Sequence, residues 1–432
     1  MGRQPFGLAS PAAWLRNRGH EVTCTDLSLD PLPVVEIRGA SLVGLYLPMH
    51  TATRLAGPVI ESVRALNPAA RICAYGLYAP LASDYLRSLG VSTVIGGEFE
   101  AELVKIAEDF HAEPFESLTS LEKLAFVVPD RAGLPIPERY PKLVVSGGKL
   151  RVGYTEASRG CKHRCRHCPV VPVYNGAFRI VQSDIVMEDI RRQVAAGAEH
   201  ISFGDPDFLN GPTHARRIVE ALHREFPQVS YDATIKIEHL LHHRDLLPVL
   251  RDTGCRFVIS AVESVDDGVL VALEKGHTYD DFVRVAELFR NTGLTLSPTF
   301  IPFTPWTSLP GYKNLLKTIH DLDLVENVAP VQLTLRLLIP SGSRMLELSA
   351  IRSTTTHFDP SALMWKWKHP ESSVDELAVE SLRVVKEGIR TGASRREIFR
   401  TLWQLVEATP LPETFDLIPR ATIPFLEEPW FC

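Results

Sequence analysis

Short apolar runs alternate with amphipathic stretches along the first quarter of the chain, and each change of period marks a change of element. Ser10 with Pro11 reads as a helix start and Arg18-Gly19 as its end. Strands are predicted at Glu21–Leu27, Leu42–Leu47, Arg71–Gly76 and Val91–Ile95. Helices are predicted near Arg54–Leu66, up to Gly90, and from Glu98 to Phe110 behind Gly96-Gly97. This alternation predicts a doubly wound, Rossmann-like α/β domain over residues 1–112. A strand should precede the helix at Pro11, yet residues 1–9 are not strand-like. A start upstream of Met1 is therefore expected; an intact mass beginning at Met1 in the natively expressed protein would end that idea.

Residues 113–148 are rich in proline and predict an irregular connector. From 149 to 344 the alternation resumes, with strands predicted at Leu150–Thr155, His200–Phe203, Val229–Ile235, Arg256–Ala261, Leu294–Ile301 and Val331–Leu337. Helical patterns such as Ser183–Ala196 and Tyr279–Thr292 separate them, the latter closed by Gly293. Repeated βα units without a glycine-rich dinucleotide fingerprint predict a partial (β/α)6 barrel of the TIM type. Residues 345–432 predict a helical C-terminal region containing Trp365, Trp367 and Trp403, ending in an extended, proline-studded tail from Pro410 to Cys432.

The chain has 432 residues, 45% apolar and 23% charged, which excludes wholesale disorder. No stretch approaches the roughly 18 apolar residues a membrane helix needs, and no signal-peptide core is present. A cytoplasmic protein with no membrane partner is expected. A net charge of −6 supplies no general attraction to phosphate backbones, and no basic, aromatic-interleaved appendage is visible, which speaks against nucleic acid as partner. Seven cysteines at this density argue against a disulfide framework.

Three of those cysteines, Cys161, Cys165 and Cys168, share the segment Gly160-Cys161-Lys162-His163-Arg164-Cys165-Arg166-His167-Cys168-Pro169. It directly follows the first predicted barrel strand, where barrel loops carry catalysis. A four-iron cubane needs four ligands; three thiolates from one tight loop hold three irons and leave the fourth open. Arg159, Lys162, Arg164 and Arg166 are expected to lower the thiol pKa values. The competing reading is a structural zinc site built from these cysteines with His163 or His167, although no second Cys-x2-Cys knuckle follows. Other polar candidates also fall behind predicted strands: Asp205 and Asp207, Lys236 and Glu238, Glu263 and Ser264, and Arg336. In a parallel barrel those ends share one mouth. Each has a plainer alternative: Asp207 as a turn cap, Lys236 with Glu238 as a solvated pair, Arg336 as a bridge to a surface carboxylate.

The Cys-x3-Cys-x2-Cys loop resembles the signature of the radical SAM (S-adenosylmethionine) superfamily. Phe203-Gly204-Asp205-Pro206-Asp207 stands where that family binds the SAM amino group, departing from its commoner Gly-Gly-Glu. Ile259-Ser260-Ala261-Val262-Glu263-Ser264 is similar to the Gly-x-Glu-Ser element beside the SAM ribose and carboxylate, with Ala261 near the usual glycine. Leu273-Glu274-Lys275-Gly276-His277-Thr278 matches the phrase that commonly follows. The resemblance covers roughly residues 149–340. It implies a [4Fe-4S] cluster on Cys161, Cys165 and Cys168, and SAM near Asp205, Asp207, Glu263 and Ser264. It also implies a reducing partner such as flavodoxin or ferredoxin, and a small-molecule substrate attacked by an organic radical. Lys236, Glu238, Arg336 and Cys432 are the catalytic candidates.

The first domain is similar to the cobalamin-binding domains that precede many radical SAM cores, so cobalamin is a further expected cofactor. The Asp-x-His-x-x-Gly loop that supplies an axial histidine is absent, and His50 lies behind a predicted strand. As a whole the chain resembles a radical SAM group ending in Cys-Cys or Cys-selenocysteine followed by Ala-Glu-Pro. Cys432 then raises the hypothesis of a selenocysteine codon misread as a stop, which the codons beyond it would test. Three functions stay open: a 5′-deoxyadenosyl radical, 3-amino-3-carboxypropyl transfer to an acceptor such as trivalent arsenic, as in arsinothricin biosynthesis, and a zinc-stabilised binding or regulatory module.

Overall fold

The computed structural model describes residues 3–109, 118–407, 409 and 411, and the backbone of 425–426. The N-terminal sheet is parallel and holds β1 (Leu42–Tyr46), β2 (Arg71–Tyr75), β3 (Thr93–Gly97) and β4 (Leu118–Ser120), side by side in chain order. Alternate residues of β2 serve opposite faces, as strand geometry requires. Ile72 and Ala74 pack under Ile60, Val63 and Leu86, whereas Cys73 and Tyr75 pack under Leu103 and Ile106. Helices thus cover both faces. β4 falls inside the stretch expected to be connector, yet it pairs with β3 and completes the sheet.

Three local expectations change. Glu21–Leu27 forms no strand; it lines a cavity of about 670 Å³ beside β1 together with Leu8, Leu15 and Val63. The first helix runs Phe6–Arg16, so Pro11 lies inside it and Ser10 is not its cap. Lacking an N–H, Pro11 cannot bond the Gly7 carbonyl one turn back. The Tyr75 hydroxyl donates to that carbonyl instead, at 2.9 Å. Tyr75→Phe should therefore cost about 1–3 kcal/mol, the penalty for stranding a buried carbonyl. A urea titration would show it as a lowered midpoint, and an unchanged midpoint would mean that the carbonyl has another partner. Finally, Gly96-Gly97 closes β3 instead of opening the helix, which starts at Glu100. Gly97 has φ +72°, and a Cβ there would strike the Ser120 carbonyl. Phe110, the expected helix end, lies outside the described residues.

The second sheet is preceded by an antiparallel hairpin, β5 (Leu143–Val145) and β6 (Gly148–Leu150). Leu143 packs there against Val152 and Phe257. Then follow β7 (Val152–Thr155), β8 (Ser158–Gly160), β9 (Phe178–Ile180), β10 (His200–Phe203), β11 (Ser230–Thr234), β12 (Cys255–Glu263) and β13 (Leu296–Phe300). The barrel sheet is parallel in the order β13-β12-β11-β10-β7. Outer helices bury Ile190, Ile218, Leu222, Val285, Phe289 and Leu316 against it. The expected sixth strand, Val331–Leu337, is reduced to a turn at Pro330–Leu333 and one bridge between Phe303 and Arg336. Pro330 fixes its own backbone and cannot donate to a ladder. The side-chain oxygen of Gln332 accepts from the Phe300 N–H in its place, at 3.2 Å. The barrel is accordingly a five-stranded crescent among the described residues.

The C-terminal region is helical at Ser372–Thr391 and Arg395–Val406, and Val385, Phe399, Leu402 and Trp403 join the barrel core. It also holds a hairpin, β14 (Thr355–Asp359) with β15 (Met364–Trp367), where only helix was expected. β16 (Phe425–Leu426) pairs with β5; Cys432 and most of the expected tail lie outside the described residues. Among the described residues, no helix is long and apolar enough to cross a membrane.

Candidate active site

Gly160 shapes the cysteine loop. Its φ is +72°, and a Cβ would run into the Tyr174 ring and the Ala177 carbonyl, so only glycine turns the chain here. The Cys161 N–H donates to Ala177 at 3.1 Å, and Cys168 N–H donates to Cys165 at 3.2 Å. On the far side, the Arg166 N–H donates to the Leu273 carbonyl and its guanidinium to Ala272, both at 2.9 Å. The phrase after β12 therefore clamps the loop. Cys161, Cys165 and Cys168 are free thiols, the middle one buried. Val170, Val173 and Tyr174 pack with Leu77 and Leu121, residues just beyond β2 and β4. The carboxyl ends of both sheets thus meet at this loop.

Cys161 and Cys168 are not lowered as the nearby basic residues predict. Burial pushes Cys161 up, and it pushes Cys168 to about 12 with Cys165 and Cys161 adding to the effect. Arg159 is 5% exposed and points away, into the N-terminal domain. It donates to Glu100 at 2.6 and 2.9 Å, to Glu98 at 3.2 Å and to Glu156 at 2.8 Å. The rings of Phe126, Phe99 and Phe6 surround its guanidinium. Ser10 donates to Glu100 at 2.6 Å and Tyr174 to Glu98 at 3.1 Å. Burial raises Glu98 and Glu156, with Arg159 opposing it. Arg166 is likewise taken up by Glu274 at 2.6 Å.

Most of the other candidates converge on the loop. Asp205 accepts from Ser158 Oγ at 2.5 Å and from Ala157 N–H at 3.0 Å, fixing the backbone that leads into β8. Burial lifts its carboxyl to about 7 against those bonds. Asp207 Oδ1 accepts from the Leu209 N–H at 3.1 Å, capping the turn Phe208–Asn210. Glu263 takes φ +70° at a bulge ending β12, a strained placement for a residue with a Cβ. Burial raises its carboxyl, but Lys275 at 3.4 Å and His167 at 3.0 Å outweigh it and hold it at about 2. Ser264 accepts from the Asp266 N–H at 3.1 Å. Lys236 bridges Glu238 at 3.0 Å and His163 Nδ1 at 3.1 Å. Burial, with Lys236 and His239 beside it, pulls His163 down to about 4.

Arg336 makes other contacts: it pairs with Asp375 at 2.8 Å and stacks on Trp367 at 4.1 Å, tying the C-terminal region to the barrel. Sequence reasoning missed Glu98, Glu100 and Glu156 as partners of Arg159, and His239 at the mouth. Lys275 stood in the quoted phrase without a role.

Residues 155–307 match the family model of the radical SAM superfamily. The chain carries a radical SAM domain. That domain holds the whole cysteine loop and runs past β13. Hopanoid C-3 methylase of Methylococcus capsulatus is 25% identical over 151 residues, covering 35% of this chain and 29% of that one. Bacteriochlorophyllide d C-12(1)-methyltransferase of Chlorobaculum tepidum is 23% identical over 199 residues, 44% of this chain and 41% of that one. The chain thus spans well under half the length of these curated relatives.

In fold, the radical SAM domain and its N-terminal partner are similar to the cobalamin-dependent radical SAM enzyme OxsB with aqua-cobalamin and S-adenosylmethionine bound. That match has a TM-score of 0.64 at 14% identity over 90% of this chain and 65% of that one. The radical SAM methyltransferase TsrM of Kitasatospora setae matches with a TM-score of 0.57 at 18% identity, over 74% of this chain and 71% of that one.

The residues fit the family's [4Fe-4S] cluster: three free thiols share one loop, and burial, with Cys165 and Cys161 beside it, raises Cys168, a cost that a bound cation relieves as the protons leave. A corrinoid held through histidine fits less well. His50 Nε2 lies 2.7 Å from the Ala362 carbonyl, and Leu47, Tyr78 and Phe99 fill the sheet ends that face the loop.

Proposed function

We propose that this chain is a radical SAM enzyme: it holds a [4Fe-4S] cluster on Cys161, Cys165 and Cys168 and acts through an organic radical on a small molecule. The supporting observation is the trio of free thiols on a loop pinned at the mouth of a parallel crescent, inside the matched domain. When bound, the cluster supplies one electron to the sulfonium of SAM, breaking a carbon–sulfur bond. The chain's own residues shape that site. Glu263, kept ionised by Lys275 and His167, offers an anionic acceptor for the SAM amino or ribose groups, with Ser264 beside it. Asp205 acts through Ala157 and Ser158 and is a positioning residue. Lys236 and Glu238 flank the mouth from β11, placed to contact a polar substrate.

The test is electron paramagnetic resonance of anaerobically reconstituted, dithionite-reduced protein with and without SAM. A reduced four-iron signal that changes on adding SAM is expected. Zinc without sulfide, and no such signal, would replace this reading with a zinc-stabilised scaffold. Products from the same sample separate the two radicals. 5′-Deoxyadenosine marks the 5′-deoxyadenosyl route, and methylthioadenosine marks 3-amino-3-carboxypropyl transfer.

A further inference from the structure

We propose that His163, Asp207 and His239 form a second metal site, for a divalent first-row transition ion, beside the cysteine loop. One ligand atom from each residue lies within 4.8 Å of the other two, the spread that a single ion bridges. His239 Nδ1 is 2.8 Å from Asp207 Oδ2, and its Nε2 is 3.1 Å from His163 Nε2.

Two of the three side chains are deeply buried, Asp207 at 2% exposure and His239 at 3%. Burial of that degree normally forces every polar atom into a hydrogen bond. Here Asp207 Oδ2 and His239 Nδ1 have none, although they face each other. Their approach makes no hydrogen bond, which leaves both buried atoms unpartnered at the site. The other oxygen of Asp207 caps the following turn, which fixes the carboxylate with Oδ2 turned to the histidines.

The donor set, two imidazoles and one carboxylate, suits zinc or iron(II) and leaves coordination positions open for water or a substrate heteroatom. Ligation through His163 Nε2 needs the neutral ring to carry its one proton on Nδ1, so Lys236 Nζ, 3.1 Å from that atom, must turn away and an acceptor take its place. Glu238 Oε2 stands 3.6 Å from that Nδ1, the carboxylate that commonly backs a ligand histidine. His163 sits between Cys161 and Cys165, so this ion would hold a small ligand next to the loop. The site stands on its own residues and does not require the radical chemistry proposed above.

Zinc is the probe. Cluster-loaded protein, equilibrated with Zn2+ and desalted, should retain one zinc per chain beyond its iron. Zinc-edge X-ray absorption should show nitrogen and oxygen near ~2.0–2.1 Å and no sulfur near ~2.3 Å. His239→Ala and Asp207→Asn should each weaken zinc retention by more than about a hundredfold, beyond the loss typical of an outer-shell partner. Both should keep iron and sulfide at the wild-type level. The proposal falls if cluster-loaded wild type retains no zinc, if sulfur enters the zinc shell, or if both variants retain zinc. It falls equally if both lose zinc and iron together, because the site would then be no more than a wall of the cluster pocket. Iron, sulfide and SAM cleavage read on the same samples report separately on the radical SAM reading.

Discussion

Alanine at any one of Cys161, Cys165 and Cys168 is expected to leave the protein folded but without most of its reconstituted iron, and with SAM cleavage at background. Three thiolates on one loop hold three irons, and two leave a second iron exposed to solvent and loss. The loop does not depend on the thiols for its shape. Cys161 and Cys168 are held through backbone N–H groups, and Arg166 through Leu273 and Ala272. Removing a sulfur should therefore cost about 1 kcal/mol of stability, a typical value for a single substitution. Iron and sulfide content, with circular dichroism as the folding control, decides the matter. A full cluster in all three variants would end the assignment of these ligands.

The second large effect concerns Arg159, which carries no iron. Arg159→Ala leaves Glu98, Glu100 and Glu156 facing one another without their counter-charge. Breaking one buried ion pair by removing a partner costs about 3–5 kcal/mol, and this node has three. Arg159→Lys should recover only part, because an ammonium cannot reproduce the fork that reaches all three carboxylates. The pH dependence has a definite sign. In the alanine variant Glu98 and Glu156, already raised by burial, sit further above their unfolded pKa. Their destabilisation is full near neutrality and shrinks as the pH falls and they take up protons. Urea midpoints of wild type and variant, compared at neutral and mildly acidic pH, test this. Equal midpoints at neutral pH would show that the node is not a structural tie between the N-terminal domain and the loop.

The cysteine loop was legible in the sequence because its chemistry lies within one short window. Most barrel strands were legible because β-branched and aromatic residues gather in short runs between helical patterns. The basic residues beside the cysteines misled because their partners are remote: Arg159 meets Glu98 and Glu100 across separations of 61 and 59 residues. Arg336 reaches Asp375 in the C-terminal region, a pairing that no local pattern encodes. The sixth strand failed on side-chain chemistry, since Gln332 serves a strand's role without a strand's backbone. Pro11 misled for a similar reason, because the acceptor it strands is satisfied by Tyr75 from another element.

Gly160, the β8–β9 pairing and the clamp from Leu273 hold the loop by contacts of the protein alone. Iron therefore meets a chelator whose bite is set in advance, with little conformational entropy left to lose on binding. The consequence is kinetic as well as thermodynamic. On the proposed reading, cluster insertion would be limited by the supply of iron and sulfide and by proton release from the buried thiols, and not by a search of the loop for its own shape.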